Sequence, residues 1–300
     1  MKIGAIFPTT EIGNDPAVIR DWAQTAEGLG YSHITFFDHV LGAEHADRTP
    51  PLAGPYTEHH PFHEPFVVMS FIAAVTSRIE LATGILILPQ RQTVLVAKQA
   101  AELDVLSGGR LRLGVGSGWN HVEYESLGAD YGSRGRRMDE QVELMRRLWR
   151  EPVVDFRGEF HRVDRAGLLP QPRAELPVWF GGFSEVAFRR AARLGDGFIY
   201  GSRPTRMTPM IERVQALLRE NGRDPASFGG DAAIDFSSPR ETWRDEIRHW
   251  KALGGTHISL RAMDTAAEFV GERTVGYQTP QSYIDALQTF ITNANSGDGP

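Results

Sequence analysis

Residues 83–119 of the chain are TGILILPQRQTVLVAKQAAELDVLSGGRLRLGVGSGW, and this stretch decides the fold. An apolar run over residues 79–88 is rich in branched side chains, as expected of a strand that is buried on both faces. A second apolar run, residues 111–115, opens into Gly116-Ser117-Gly118-Trp119. The segment between the two runs has helical spacing. We therefore predict a strand–helix–strand unit whose two strands are parallel.

The helix of this unit is predicted from its ends and from its apolar spacing. Thr93 can cap the N-terminus, and Gly108-Gly109 can end the helix. The apolar positions expected on its buried face are Leu95, Val96, Ala100, Leu103 and Leu106. Both strands of the unit end in small or glycine residues, so a ligand could approach the backbone there.

The rest of the chain repeats this alternation of strand and helix. Six further strands are predicted at residues 2–7, 33–37, 176–180, 197–200, 231–236 and 256–261. Further helices are predicted at residues 16–29, 67–75, 136–149, 185–195, 207–221 and 241–253, with a last one from Thr279-Pro280. Eight alternations are typical of a (β/α)8 TIM barrel, and no composition shift divides residues 1–300 into two domains. Residues 153–163 predict a short β-hairpin insertion that turns at Arg157-Gly158.

Composition narrows the classes of function. The 300 residues include 41% hydrophobic and 23% charged side chains, which is ordinary for a globular protein. The net charge of -6 argues against a nucleic-acid partner, and the absence of cysteine excludes disulfides and a thiolate nucleophile. Pro8 interrupts the N-terminus too early for a secretory signal, and no apolar run reaches the roughly 20 residues that span a bilayer. We expect a cytoplasmic enzyme with no membrane partner.

The candidate site residues follow from the predicted barrel, because its chemistry lies where strands end at their C-terminal side. This rule selects four stretches: Asp38-His39, Thr83-Gly84-Ile85, Gly116 to Trp119, and Gly181 to Ser184.

His39 is the candidate catalytic residue among them. An imidazole can exchange a proton near neutral pH, and Asp38 could orient it or stabilise its cation. The alternative is a hydrogen-bonded structural histidine at the barrel rim, and position alone does not choose between the two. The loop 40–65 carries histidines 45, 59, 60 and 63, but they lack the rigid spacing of metal ligands. We predict a solvated loop there and no metal site.

Gly181-Gly182-Phe183-Ser184 lies between a predicted strand and a helix, which suits an anion. Glycine lets a phosphate approach the backbone, and the first N–H groups of the helix are free to bind it. A plain glycine turn with a serine cap is the alternative. Gly114-x-Gly116-x-Gly118 has the wrong spacing for a dinucleotide fingerprint. Trp119 could be core or a wall against which a ring stacks, and Glu123 could be a solvated carboxylate or a ligand contact.

These motifs resemble the luciferase-like monooxygenase superfamily of flavin- and deazaflavin-dependent oxidoreductases. The resemblance rests on FFDHV at 36–40, on ATGILILPQRQTVLVAKQAAELDVLSGGRLRLGVGSGW at 82–119, and on GGFSEVAFRRAARLGDGF at 181–198. Within the superfamily, the chain most resembles the group that depends on coenzyme F(420), a deazaflavin. The resemblance implies a (β/α)8 barrel with an insertion, a flavin-type ring over the barrel mouth, and often a homodimer.

Carried over residue by residue, the resemblance implies His39 and Asp38 as the catalytic pair. It implies a bulge at Gly84-Ile85, often with a non-proline cis peptide, that backs the ring. Trp119 stands where related sugar-phosphate dehydrogenases have a glutamate, which disfavours sugar-phosphate oxidation. The cofactor-binding residues implied are Asp38, Thr83, Gly84, Ile85, Gly116, Ser117, Gly118, Trp119, Glu123, Gly181, Gly182, Phe183 and Ser184.

Two cofactors remain open at this point. With coenzyme F(420), the deazaflavin ring would exchange hydride with a small organic substrate, and His39 would handle the substrate proton. With FMN, a separate reductase would supply reduced flavin, which would react with oxygen to oxygenate the substrate. A barrel that binds a ligand without catalysis is the third reading. The loop 40–65 is expected to shape the substrate pocket, and its aromatic residues indicate a partly apolar substrate: Tyr56, Phe62 and Phe66.

Overall fold

Eight parallel strands close into a barrel in the computed structural model, which describes residues 1–265 and 267–295. The third barrel strand is made of two segments, and an antiparallel hairpin lies outside the barrel. In chain order the strands are β1 (Lys2–Ile6), β2 (His33–Phe36), β3 (Glu80–Thr83), β4 (Leu86–Ile87), β5 (Leu111–Gly116), the hairpin strands β6 (Val154–Arg157) and β7 (Arg162–Ala166), β8 (Val178–Gly181), β9 (Gly197–Ile199), β10 (Gly229–Asp235) and β11 (His257–Arg261). The predicted (β/α)8 barrel is confirmed.

The helices pack around this barrel and alternate with its strands. Their bounds are α1 (Pro16–Gly28), α2 (Pro65–Val75), α3 (Thr93–Ser107), α4 (His121–Ser126), α5 (Arg134–Arg150), α6 (Glu185–Leu194), α7 (Pro204–Glu220), α8 (Arg240–Ala252), α9 (Ala267–Val270) and α10 (Pro280–Asn295). Among the described residues, no helix has the length and apolar character that crossing a membrane requires. The prediction of one domain extends to residue 300, and its residues 266 and 296–300 lie outside the described part.

The third barrel strand is interrupted where the sequence predicted a continuous run over residues 79–88. A cis peptide joins Gly84 to Ile85 between β3 and β4, as the resemblance implied. Both segments pair with β5, through Leu81 opposite Leu111 and Leu86 opposite Val115, so the barrel stays closed. A Cβ atom at Gly84 would lie 2.3 Å from the Thr35 methyl carbon, so glycine is the residue that fits this position.

Two expectations for α3 are wrong. Gln92, not Thr93, holds the N-cap position, because the Thr93 hydroxyl pairs with His161 Nε2 at 2.6 Å and is bonded by Gln141. The apolar residues predicted for the buried face of α3 are also not all buried. Val96, Ala100 and Leu103 are buried as predicted, whereas two others are exposed by about half or more, Leu95 (51%) and Leu106 (66%).

The predicted hairpin insertion is confirmed as β6–β7, but it turns over residues 158–161 and not at Arg157-Gly158, because Arg157 still pairs with Arg162. The carboxylate of Glu140 on α5 holds this turn. It accepts hydrogen bonds from the backbone N–H groups of Glu159 and Phe160 and pairs with His161 Nδ1 at 2.7 Å. The insertion therefore packs on the outside of the barrel through one helix.

The N-terminal end of the barrel interior contains a buried polar cluster. His33 lies 2.9 Å from Ser259 Oγ and 3.3 Å from the Asp231 carboxylate. Arg112 pairs with Glu80 at 2.6 Å and lies over the Trp179 ring, 4.2 Å from its centroid. These residues begin or nearly begin their strands, at the end opposite the strand ends that carry chemistry in such barrels. We therefore assign the cluster a structural role, the stabilisation of the barrel.

Candidate functional site

His39 and Glu123 form the centre of the site. His39 follows β2 by three residues, and its Nδ1 lies 2.9 Å from the Glu123 Oε2 atom. Glu123 is fully buried on α4, whose N-terminus is capped by the Asn120 side chain. Its other oxygen, Oε1, accepts hydrogen bonds from the backbone N–H groups of Val40 and Leu41. Glu123 is thus neither solvated nor at the cavity surface. Both of its oxygens are hydrogen-bonded, one to His39 and the other to the loop that follows His39.

The protonation of this pair follows from its partners. Burial raises the pKa of Glu123, but the hydrogen bond and charge of His39 and the two backbone N–H groups lower it more, so that the net pKa is below 4.5. An ionised carboxylate only accepts, so the hydrogen-bond network assigns the Nδ1 proton to His39. Its Nε2 atom makes no hydrogen bond with any described residue. This nitrogen is the one that can exchange a proton with a ligand.

Asp38 does not orient His39, and this expectation is wrong. Its carboxylate pairs with Arg91, Oδ1 to Nη2, at 2.7 Å, and Oδ2 accepts from the Ile87 backbone N–H at 2.8 Å. The same guanidinium of Arg91 binds Glu64 at 2.9 Å, and Glu64 in turn caps α2. Arg91 therefore links Asp38, on the N-terminal side of the loop 40–63, to Glu64 on its C-terminal side. The sequence adjacency of Asp38 and His39 was misleading because each side chain has its own distant partner, Arg91 for Asp38 and Glu123 for His39.

The strand ends enclose a largely apolar cavity of about 400 Å³. The His39 ring contacts three aromatic rings edge-on, with centroid distances of 5.3 Å to Tyr56, 5.0 Å to Phe62 and 5.5 Å to Trp119. A larger and more open cleft of about 920 Å³ lies between α5 and the β6–β7 hairpin, away from the strand ends. The smaller cavity is the candidate site because it holds the histidine, the aromatic walls and the cis peptide.

The predicted site residues divide into those that line this cavity and those that support it. Seven line it: Asp38, His39, Gly84, Ile85, Gly118, Trp119 and Phe183. Thr83 instead bonds the backbone of Gly114 on β5 through its hydroxyl. The carbonyl of Ser117 accepts a hydrogen bond from Tyr124. A Cβ atom at Gly116 would lie 2.7 Å from Ile85, so Gly116 makes room for that side chain.

The turn 181–184 lies beside the cavity at the N-terminus of α6, with Phe183 reaching the cavity wall. Ser184 Oγ accepts from the Ala187 N–H at 3.4 Å, and Gly182 has a φ of 147°. A Cβ atom on Gly182 would lie 2.9 Å from the Ala187 Cβ. Glycine therefore keeps the first turn of α6 accessible, and the N–H groups of that turn suit a phosphate.

Sequence reasoning missed Arg261. This residue ends β11, is 8% exposed, and lines the cavity. Its Nε atom donates to Asp235 Oδ1 at 2.5 Å. The rule that selected the other strand ends would have found it, because Arg261 closes the predicted eighth strand.

The loop histidines do not assemble a metal site. Across residues 1–265 and 267–295, no three His, Asp or Glu side chains converge on a point that could hold a metal ion. His60 accepts from the Thr57 backbone N–H, and His63 donates to the Gly13 carbonyl. His60 therefore closes a contact within the loop, and His63 ties the loop to the segment between β1 and α1. The expectation of scattered solvated histidines is wrong for these two.

The family can now be assigned from comparison with known proteins. A family model described as luciferase-like monooxygenase matches residues 1–284. The chain belongs to this family. An uncharacterized protein of Mycobacterium tuberculosis is 36% identical over 206 residues, which cover 67% of this chain and 71% of that protein.

Solved structures of low sequence identity share the fold. Monooxygenase RslO1 from Streptomyces bottropensis superposes with a TM-score of 0.77 at 19% identity, covering 98% of each chain. A coenzyme F(420)-dependent secondary alcohol dehydrogenase, in complex with an adduct of the coenzyme and acetone, gives a TM-score of 0.73 at 19% identity. That match covers 98% of this chain and 99% of the dehydrogenase. A monooxygenase and a coenzyme F(420)-dependent dehydrogenase thus share this fold.

Proposed function

We propose that the chain is a coenzyme F(420)-dependent oxidoreductase that transfers hydride to or from a small organic substrate. The observation that supports this most is the buried His39–Glu123 pair at the mouth of an apolar cavity. Hydride transfer to a carbonyl, or from an alcohol, requires that a proton be moved at the same time. His39 presents its Nε2 atom for this proton, and Glu123 holds the ring in the tautomer that can accept it.

The residues present suit a deazaflavin. The apolar side chains of Ile85 and Trp119 would border its ring, and the turn 181–184 would bind its phosphate through the first N–H groups of α6. When bound, the deazaflavin supplies a ring carbon that donates or accepts hydride. The walls formed by Tyr56 and Phe183 would exclude water from the reacting atoms.

An FMN-dependent monooxygenase is the second candidate function. The fold likeness to monooxygenase RslO1 favours it, and the same cavity and turn would accept the FMN ring and phosphate. A separate reductase would then be a partner. In this reading His39 serves to position the substrate, and the enclosed cavity keeps solvent away from the ring.

Titration of the purified chain with each cofactor separates the two functions. We expect quenching of cofactor fluorescence to give a lower Kd for coenzyme F(420) than for FMN. Gly182→Val is the matched control, because it should weaken both if they share the phosphate turn. Tighter binding of FMN, together with oxygen consumption when reduced FMN is added, would reject the deazaflavin assignment.

We also propose that the chain forms a homodimer through α2 and α3. These two neighbouring helices expose apolar side chains that a monomer would leave in water: Val67, Phe71, Val94, Leu95 and Leu106. Leu95→Glu should convert the dimer to a monomer in light scattering. Val153→Glu, at an equally exposed position near the hairpin, should not. A monomeric parent would reject the proposal.

A further inference from the structure

Arg261 is unusual among the residues that line the cavity. Of the described lining residues it alone carries a permanent positive charge, and the surface around it is largely apolar. Only 8% of the residue is exposed. A buried guanidinium is retained in such a place when it is paired or when it serves a ligand.

The hydrogen bonds of Arg261 leave part of its guanidinium unused. Nε donates to Asp235 Oδ1 at 2.5 Å, and Nη1 donates to the Gly201 carbonyl at 3.3 Å. Nη2 is buried and has no partner. The second oxygen of Asp235, Oδ2, is likewise buried without a partner, so the remaining donor can be satisfied either by a small shift towards Asp235 or by an additional acceptor in the cavity.

Tyr56 lies in the cavity that both Arg261 and His39 line. The Tyr56 ring contacts the His39 ring edge-on, with the centroids 5.3 Å apart. Burial raises the pKa of Tyr56 to about 12, and the positive charge of Arg261, which lines the same cavity, opposes this rise. A ligand that fills the cavity beside Tyr56 therefore has the guanidinium and the imidazole within its reach.

We propose that Arg261 binds the carboxylate of the substrate, so that the substrate class is an apolar carboxylic acid whose reacting carbon lies at His39. Charge-assisted bonds from guanidinium to carboxylate are the strong, directional ones, and the apolar walls suit the rest of such a molecule. This inference rests on the proposed function and names its substrate class. The cofactor phosphate is a second possible source of anionic oxygen, and the test below separates the two.

Benzoate and its uncharged counterpart benzamide are suitable probes, measured by ligand-observed NMR on the full chain with and without cofactor. The parent should bind benzoate about 10- to 100-fold more tightly than benzamide. Arg261→Gln should reduce this ratio to about one. Arg219→Gln removes the same charge from an exposed residue that does not line the cavity, and it should keep the ratio.

A second variant guards against misfolding, because Arg261→Gln leaves the buried Asp235 without its partner. Arg261→Gln combined with Asp235→Asn removes both charges, and it should also abolish the preference for benzoate. A parent without the preference, or a preference that survives in both variants, overturns the proposal. If Arg261→Gln lowers the thermal stability but leaves the benzoate-to-benzamide ratio unchanged, Arg261 serves only as the counter-ion of Asp235. That result also overturns the proposal.

The cofactor arm compares FMN with riboflavin, which lacks the phosphate. If Arg261→Gln weakens FMN binding but not riboflavin binding, and the benzoate ratio stays the same, then Arg261 holds the cofactor and the proposal fails. Because the benzoate ratio is a binding measurement on the protein alone, it remains decisive even if neither cofactor supports turnover. Failure of the proposed function and failure of the carboxylate site are therefore distinguishable.

Discussion

Replacing Glu123 by glutamine tests the central pair with the smallest change of shape. In the parent, the ionised carboxylate accepts the Nδ1 proton of His39 at 2.9 Å and leaves Nε2 as an acceptor. An amide that keeps its oxygen on the Val40 and Leu41 N–H groups turns its NH₂ group towards His39. Nδ1 must then accept, and the proton moves to Nε2. The nitrogen that faces the ligand can no longer act as a base.

The expected loss of kcat is about 100- to 10,000-fold, the usual contribution of a general acid or base. KM should change little, because Glu123 does not line the cavity. Bonds to a charged group contribute about 1.5 to 3 kcal/mol, and the amide keeps part of this, so the free energy of unfolding at pH 7 should fall by about 1 to 3 kcal/mol. Since the folded-state pKa of Glu123 lies below 4.5, this difference should shrink as the pH falls through that lower pKa.

Three measurements follow the variant. Long-range proton–nitrogen NMR reports the tautomer, with the His39 signals assigned by their absence in His39→Asn. Steady-state kinetics require a substrate found by screening. Thermal unfolding shows that the barrel persists, and Glu123→Asp, which keeps the charge, should restore part of the activity. Parental kcat in Glu123→Gln, with the proton moved to Nε2, would refute the role of His39 as a base.

Three further outcomes are expected. His39→Ala should keep cofactor affinity and lose about 100- to 10,000-fold in turnover; a loss of cofactor binding instead would make His39 a ring contact. Gly182→Val should block cofactor binding while the barrel stays folded, because a branched side chain fills the space beside Ala187. Tm should fall, since the φ of 147° and the 2.9 Å approach to the Ala187 Cβ strain the turn, and equal Kd values in calorimetry would contradict the prediction. Burial raises the pKa of Asp231, but its contacts with His33 and the Arg112 guanidinium outweigh this and lower that pKa from 3.8 to about 2, so Asp231→Asn should lose about 2 kcal/mol of stability at pH 7. That difference should vanish as the pH falls from about 4 to about 2 in urea unfolding, and a pH-independent difference would show that ionisation of Asp231 is not its source.

The fold was predictable because its signals are local. Apolar runs and turn-forming glycines recur along the whole chain, and the predicted helix 16–29 begins at Pro16, where Asp15 caps it. The failures arise where a distant partner decides. Thr93 could cap α3, but its hydroxyl is taken by His161, 68 residues away. Leu95 fits the helical spacing, yet it faces outward, because the face that packs on the barrel is the one that carries Val96, Ala100 and Leu103.

The candidate site was predictable in position but not in its pairings. The rule of strand ends found His39, Gly84 and Trp119, because parallel strands bring their C-terminal ends together whatever their partners. No local pattern indicates that Glu123, 84 residues after His39, is the group that binds it. Asp38 was the obvious partner from adjacency, and only the folded chain shows that Arg91 holds it. Pairings of this kind depend on tertiary distances that a single sequence does not contain.

The contacts of Arg91 have a consequence for how this barrel could change its specificity. One guanidinium joins Asp38 before the loop 40–63 to Glu64 after it. The two ends are thus fixed independently of what lies between them, and the entropic penalty of a longer loop rises only slowly with its length. Insertions and deletions at the middle of the loop can therefore reshape the cavity wall while the His39 ring keeps its Glu123 partner. The loop 40–63 can therefore be exchanged as a unit, because a single side chain, Arg91, fixes both of its ends.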